Sequence, residues 1–287
     1  MSASAVHPEK TTVLKTPKSA RIRPAEVIAL AVLAAFVAAA FLPGLLAPHD
    51  PAAIDTSNIL AAPNAEHLFG TDEAGRDVLS RVIFGTANSL LLGFGAVAIA
   101  LVGGTVLGIS AALGHRISNL ILMRFIDIGL AFPEMLLALV VIAIVGSGPA
   151  PALFAIGIAT IPSYARLIRA ETLSVRGSSY VEAAHALGLT RAQVLLHHVL
   201  PNAIRPVLVI ATIGIGTATL AGAALSFIGL GVSPPTPEWG SMLSNARNFL
   251  QMAWWYGVFP GLAITSLVIS TTVLGRSLQA RIEGKTA

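Results

Sequence analysis

Val27–Ala47 reads VIALAVLAAFVAAAFLPGLLA, 21 consecutive positions without a charged side chain. At roughly 1.5 Å per residue such a helix is about 31 Å long, the thickness of a bilayer's hydrocarbon core. A cleaved export signal carries an apolar stretch of only about 7–15 residues. A basic tail of about 25 residues precedes this run, which therefore reads as a retained first span.

Working outward, no charge appears between Val82 and Gly114, and 88–113 reads as the lipid-facing part. Residues 121–146 are apolar except for Arg124, Asp127 and Glu134. Gly146–Pro151 (GSGPAP) is a turn by composition, and a shorter apolar stretch follows to Tyr164, with helix continuing to Ser174. Residues 206–231 and 256–275 supply two more spans. The reading is an all-α polytopic membrane protein with six transmembrane helices. Composition agrees: only 11% of the 287 residues are charged, against about 25% in soluble domains. The mean hydropathy is +0.79. An ordinary soluble enzyme and a disordered chain are both excluded. The absence of cysteine excludes disulfides, thiol nucleophiles, cysteine–zinc sites and iron–sulfur clusters.

Charge sets the expected orientation. With the N-terminus inside, segments 1–26, 114–124, 163–206 and 276–287 hold 15 of the 18 Lys and Arg. Only Arg76, Arg81 and Arg247 fall outside, so both termini are expected to be cytoplasmic. The outer stretch 48–86 carries six acids: Asp50, Asp55, Glu66, Asp72, Glu73 and Asp77. Within it Val78, Leu79, Val82 and Ile83 share one helical face, which predicts an amphipathic helix on the outer surface. All three Trp lie between Val232 and Trp255, and the expectation for them is an interfacial aromatic belt.

The expected domains are a cytoplasmic tail 1–25, a first span 26–47, an extracytoplasmic segment 48–86, a core of five transmembrane helices 87–282 and a tail 283–287. The inner loop between spans four and five is unusually long. Around Glu182-Ala183-Ala184 it reads as a short helix, a Gly188 break in a C′-like position, and a second short helix capped by Thr190. Pro201 is expected to stop that second helix. Two short helices joined by a glycine elbow make a knob suited to a groove on a partner. Gly104-x-x-x-Gly108, continued by Ala112, predicts a close helix–helix contact. The pairs Gly93-x-Gly95 and Gly214-x-Gly216 read the same way.

Four motifs, in order, carry a resemblance. Glu182-Ala183-Ala184-x-x-x-Gly188, running on to Leu200-Pro201, resembles the EAA loop of ABC importer permeases. His67 to Arg81, with Phe69-Gly70-Thr71-Asp72 and Gly75-Arg76-Asp77, is similar to the segment after the first span in C-type permeases of dipeptide, oligopeptide and nickel importers. Arg124-x-x-Asp127 with Ala131-Phe132-Pro133, and Leu225-Ser226-Phe227-Ile228-Gly229-Leu230-Gly231 through Trp239-Gly240, complete the match.

The resemblance implies a type I ABC importer permease in the bacterial inner membrane, with no catalytic residue of its own. It implies a heterodimer with a second permease subunit, two cytosolic ATPase subunits below and an extracytoplasmic binding protein above. ATP and Mg²⁺ would belong to the ATPases, so no cofactor, metal or nucleic acid is expected on this chain, and lipid is its surround. The coupling loop is placed at 175–202, with Glu182, Ala183, Ala184, Gly188, Leu200 and Pro201 as its residues. Ala183 and Ala184 are expected to leave the docking groove unobstructed. Di- or oligopeptides lead as cargo, with nickel, glutathione or haem-like cargo as alternatives.

Rival readings find less support in the residues. Gly284-Lys285-Thr286 resembles the end of a phosphate loop, but Gln279 stands where that loop needs Gly. A self-contained ion-coupled transporter would need intramembrane acids. Asp127 is expected to pair locally with Arg124. Glu134, after Pro133, reads as a first-turn acid of a restarted helix. His197 and His198 are adjacent and point about 100° apart on a helix, so they do not chelate together.

Overall fold

The computed structural model describes residues 23–282. Most of the expected basic tail (1–22) and the tail 283–287 lie outside the described residues. The described chain is helical, with no strand beyond an isolated bridge between Thr71 and Asp77.

The first apolar run forms α1 (Pro24–Phe41) and a single turn, α2 (Pro43–Leu46). The break falls at Leu42, because Pro43 has no N–H to continue the ladder and disfavours helical backbone in the residue before it. Next comes α3 (Val78–Leu113), 36 residues long. Its length is about 54 Å, far more than a bilayer core. The expected surface helix is therefore corrected: Val78 and Val82 belong to the first turns of α3 and are buried there. The period was right, but the apolar face continues unbroken into the span.

The third apolar stretch is not one straight helix. It forms α4 (Arg116–Ala131) and α5 (Glu134–Val145), bent by 100°. Phe132, ahead of Pro133, is extended at φ −92°, ψ 140°, as the proline ring requires. Glu134 opens the restarted helix, as expected, in the turn where a carboxylate suits the helix dipole. The fourth span, short by its apolar run, extends into α6 (Pro149–Arg176). Ala165, Ile168 and Thr172 continue a buried stripe past the apolar core of the span.

The inner loop folds as α7 (Ser179–Ala186) and α8 (Arg191–Val194). Pro201 does not stop the chain. A π turn over Leu195–Val199 leads directly into α9 (Leu200–Phe227), with Pro201 in its first turn. Proline is tolerated there because the wider π turn, closed by the Leu200 N–H on the Leu195 carbonyl, gives the ring room. A short helix α10 (Trp239–Ala246) and α11 (Trp254–Ile282) complete the fold. Among the described residues five continuous helical runs are long and apolar enough to cross a membrane, and the bent α4–α5 pair makes six if it counts as one broken span.

Small residues let the spans touch. A Cβ on Gly104 would lie 2.5 Å from the Tyr164 Cβ, and one on Gly108 would lie 2.6 Å from the Ala165 carbonyl. The predicted Gly104/Gly108 face is thus where α3 meets α6, backbone against backbone. One core lies among α3, α5, α6 and α9 around Ile156, Ile168, Val207 and Leu225. A second gathers α3, α10 and α11 around Trp239, Met242, Tyr256 and Leu267. Trp239 is 0% and Trp255 6% exposed, so two of the three tryptophans are core residues; only Trp254, at 53%, has the exposure of an interfacial anchor.

Glu26 near the start of α1 accepts from Ser277 at 2.7 Å and pairs with Arg281 near the end of α11. Leu113, Arg176 and Arg191 line one cavity. Arg23, Arg116, Arg176, Arg191 and Arg281 thereby gather at one end of the bundle. Arg76, Arg81 and Arg247 sit at the other.

Candidate functional site

The knob between α6 and α9 is built around a glycine. Gly188 has φ +84° and ends α7. The Leu189 N–H reaches back to the Ala184 carbonyl at 3.3 Å, closing the helix end. Nothing lies within 4 Å of a Cβ built at Gly188, so this position needs glycine for its backbone rather than for space. Two residues on, the Thr190 hydroxyl accepts from the Gln193 N–H at 3.3 Å. The Gln193 side chain accepts from the Thr190 N–H at 2.9 Å. This reciprocal cap starts α8; the sequence reading found Thr190 but overlooked Gln193, whose offset of three was the available signal.

The knob has its own small core of Val181, Ala184, Val194 and Val199. Ala184 therefore packs inward, which corrects the expectation that it lies open to a partner. Its small side chain lets α7 close onto α8. Glu182, Ala183 and Gly188 are exposed, and Leu187 stands out at 81%. Leu200 and Pro201 sit at the base, in the first turn of α9. A cavity of about 520 Å³ separates the knob from the end of α3, lined by Leu113, Arg176, Val181 and Arg191 among others.

At the opposite end, the motif residues of the outer segment face inward. Phe69 stacks on Phe259 of α11, ring centroids 3.8 Å apart and planes 6° off parallel. The Thr71 carbonyl accepts the Trp255 indole N–H at 3.2 Å. Its hydroxyl accepts from Ala61 N–H at 2.7 Å and donates to the Asn58 carbonyl. Asp72, wholly buried, accepts from the Arg76 Nε at 2.7 Å and lies 3.4 Å from Arg81 Nε. Arg76 also reaches Glu73 at 3.2 Å. Asp77 caps α3, accepting from the Ser80 N–H at 2.8 Å.

Gly75 has φ +75°, and a Cβ there would come within 1.8 Å of the Asp55 carbonyl oxygen. Only glycine fits on both counts. Asp55 itself is held below the usual carboxylate range, chiefly by the Ser57 hydroxyl and then by Asn58. Phe69, Gly70, Thr71, Asp72, Gly75, Arg76 and Asp77 thus form one fastened unit that ties the outer segment to α3 and α11. Among them only Phe69 is more than slightly exposed.

Polar groups also sit on the open side of the bent pair. Asp127 pairs with Arg166 of α6, not with Arg124 as the spacing had suggested. The partner lies 39 positions away, beyond the reach of a local pattern. Glu134, just past the bend, accepts the Thr160 hydroxyl at 2.5 Å. Phe125, Phe132, Leu136 and Ile144 are exposed along α4 and α5, from 53% to 81%.

Comparison with known proteins agrees with this architecture. Residues 104–286 match the model of the family described as "Binding-protein-dependent transport system inner membrane component". The chain is 41% identical over 259 residues to the dipeptide transport system permease protein DppC of Alkalihalophilus pseudofirmus, covering 90% of this chain and 85% of that one. It is 39% identical over 286 residues to the probable D,D-dipeptide transport system permease protein DdpC of Escherichia coli, covering 98% and 96%. The glutathione transport system permease protein GsiD of Pectobacterium atrosepticum is 37% identical, with 87% and 83% covered.

Among solved structures, an inward-facing form of the MetNI methionine ABC transporter aligns with TM-score 0.54 at 18% identity, over 69% of this chain and 96% of that one. An amino acid ABC transporter aligns with TM-score 0.53 at 21% identity, over 71% and 94%. These two support the fold. Bundle, knob and sequence relationship converge: the chain belongs to the family of inner-membrane components of binding-protein-dependent transport systems, the permease subunits of ABC importers.

Proposed function

We propose that this permease forms half of the translocation pathway of a di- or oligopeptide importer and converts nucleotide-driven motion of its partners into movement of its spans. The observation that carries the cargo is the match, along nearly the whole chain, to permeases named for dipeptide transport. Glutathione, itself a small peptide, is a second cargo of the same class, favoured by the GsiD relative.

The knob is the coupling element, and it lies on the cytoplasmic side together with both termini. Its exposed Glu182, Ala183 and Leu187 face an ATPase subunit, with Gly188 setting the angle of the elbow. Glu182 offers a carboxylate to a partner base. The compact core of Val181, Ala184, Val194 and Val199 lets the knob move as one rigid piece, and the π turn joins it to α9 without a break. A push on the knob is thereby delivered to a membrane span. ATP and Mg²⁺ bind to the ATPase subunits, where hydrolysis takes place. The apolar face of α4 and α5 meets a second permease subunit, and an extracytoplasmic binding protein delivers cargo at the end formed by the outer segment.

The direct test is to purify the assembled transporter with its binding protein and identify the ligand by mass spectrometry. Small peptides are expected. A metal chelate or haem as sole ligand would overturn the peptide reading.

A further inference from the structure

Three side chains meet beside the first turn of α3. His49 follows α2, His67 lies in the outer segment, and Asp77 caps α3. The His67 Nδ1 is 3.0 Å from one Asp77 carboxylate oxygen, and the His49 Nδ1 is 3.8 Å from the other. One ligand atom from each residue can be chosen so that all lie within 4.8 Å of one another.

The contact between His67 and Asp77 is an ordinary hydrogen bond. The geometry of His49 is not. Its Nδ1 is enclosed by protein and has no hydrogen-bond partner. At 3.8 Å from the carboxylate it stands beyond hydrogen-bond range. A buried polar atom left this way is destabilising. The arrangement is held from outside the ring: the His49 backbone N–H donates to the Ser80 hydroxyl at 3.1 Å, and that hydroxyl donates to Asp77 at 2.7 Å. Ser80 thus orients both the carboxylate and the chain that carries His49, as outer-sphere groups do around metal ligands.

A cation between the three groups would satisfy the unpartnered nitrogen and the carboxylate together. Two imidazole nitrogens and one carboxylate suit zinc and its neighbours in the first transition row. Calcium and magnesium favour oxygen donors in larger number. Tetrahedral zinc, with bonds of about 2.0–2.1 Å, sets its donor atoms roughly 3.3 Å apart. The His67 Nδ1–Asp77 Oδ1 distance of 3.0 Å is close to that spacing, and one donor atom from each of the three residues lies within 4.8 Å of the others.

We propose that His49, His67 and Asp77 form a zinc site that clasps the chain after α2 and the outer segment to the start of α3. The side chain of His49 is 34% exposed, which leaves the ion a route in and room for water as a fourth ligand. No metal is expected from the sequence, where the adjacent His197 and His198 do not chelate together. Here the ligands are separated by 18 and 10 positions, and only folding assembles them.

The test uses the full chain in detergent, purified on a tag without histidine and stripped with a chelator. Zn²⁺ alone is titrated by calorimetry, and Co²⁺ is added as a spectroscopic substitute. One tightly bound zinc per chain and a zinc-dependent rise in the unfolding temperature are expected. His49→Ala should weaken binding at least about tenfold and abolish that rise, while leaving the metal-free unfolding temperature close to that of the wild type. His115→Ala, at the opposite end of the bundle, should change neither. Absence of saturable binding by the wild type would overturn the proposal. So would undiminished binding by His49→Ala, which would place the ion elsewhere.

Discussion

The Trp239 indole N–H donates to the Val82 carbonyl at 2.9 Å, fastening α10 to the first turns of α3 across 157 positions of sequence. Val82 also receives the Thr86 hydroxyl at 3.0 Å. The indole is wholly enclosed, packed at 5.2 Å between ring centroids against Phe36 of α1. Trp239→Ala is expected to destabilise the protein by about 3–5 kcal/mol, as for other buried large side chains. Trp254→Ala, at an exposed position, should have less than about a quarter of that effect. Denaturant unfolding of both variants in detergent makes the comparison. Equal effects would return Trp239 to the aromatic belt.

Asp72 and Arg81 form a second fastening, 3.4 Å apart with side chains 0% and 2% exposed. Arg81 also donates to the Pro51 and Pro235 carbonyls at 3.0 and 3.3 Å, so two outer loops converge on it. Removing Asp72 leaves the buried Arg81 without its carboxylate, which costs about 3–5 kcal/mol, whereas removing Arg81 leaves Asp72 still paired with Arg76 at 2.7 Å. Asp72→Ala should show the full loss and Arg81→Ala a smaller one. The double variant should lose less than the sum, because both single changes break one network. Strict additivity in unfolding measurements would mean that the two groups are independent.

At Gly188 the positive φ and the open space around the α-carbon separate two effects. Gly188→Asn should be nearly neutral, since Asn visits this backbone region readily, whereas Gly188→Ala should cost roughly 1–2 kcal/mol locally. Gly188→Glu adds a charge where an ATPase is proposed to dock. It should reduce both copurification of the ATPase subunits and peptide uptake, at an unchanged level of permease in the membrane. Normal copurification and uptake in all three variants would make the knob an ordinary surface feature.

Orientation can be read directly, because the chain has no cysteine of its own. Ala65 and Ala192 are both exposed and lie at opposite ends of the bundle. In intact cells a membrane-impermeant thiol reagent should label Ala65→Cys and spare Ala192→Cys. The reverse pattern would invert the proposed topology.

The predicted spans emerge because a bilayer imposes a length and an apolar composition on each, and both are local properties of sequence. The Gly188 elbow and the Thr190 cap are local too, since backbone preference and a side chain three residues away suffice to set them. Pro201 shows where local reasoning fails. A proline can end a helix or open one, and the choice depends on the π turn that precedes it. Asp127 shows the same limit for pairing: Arg124, three positions back, is the local candidate, yet Arg166 on a packed helix is the partner.

By itself the sequence determined the membrane class, the near alternation of apolar and charged segments, the small-residue face of α3 and the existence of the knob. Each follows from hydropathy, helical period or backbone freedom within a few turns of chain. Tertiary structure alone decided the 100° bend between α4 and α5, the burial of Trp239 and Trp255, and the inward packing of Ala184. It also decided that His49, His67 and Asp77 share one point in space. These depend on which helices lie side by side, and that is settled by packing between residues distant in sequence.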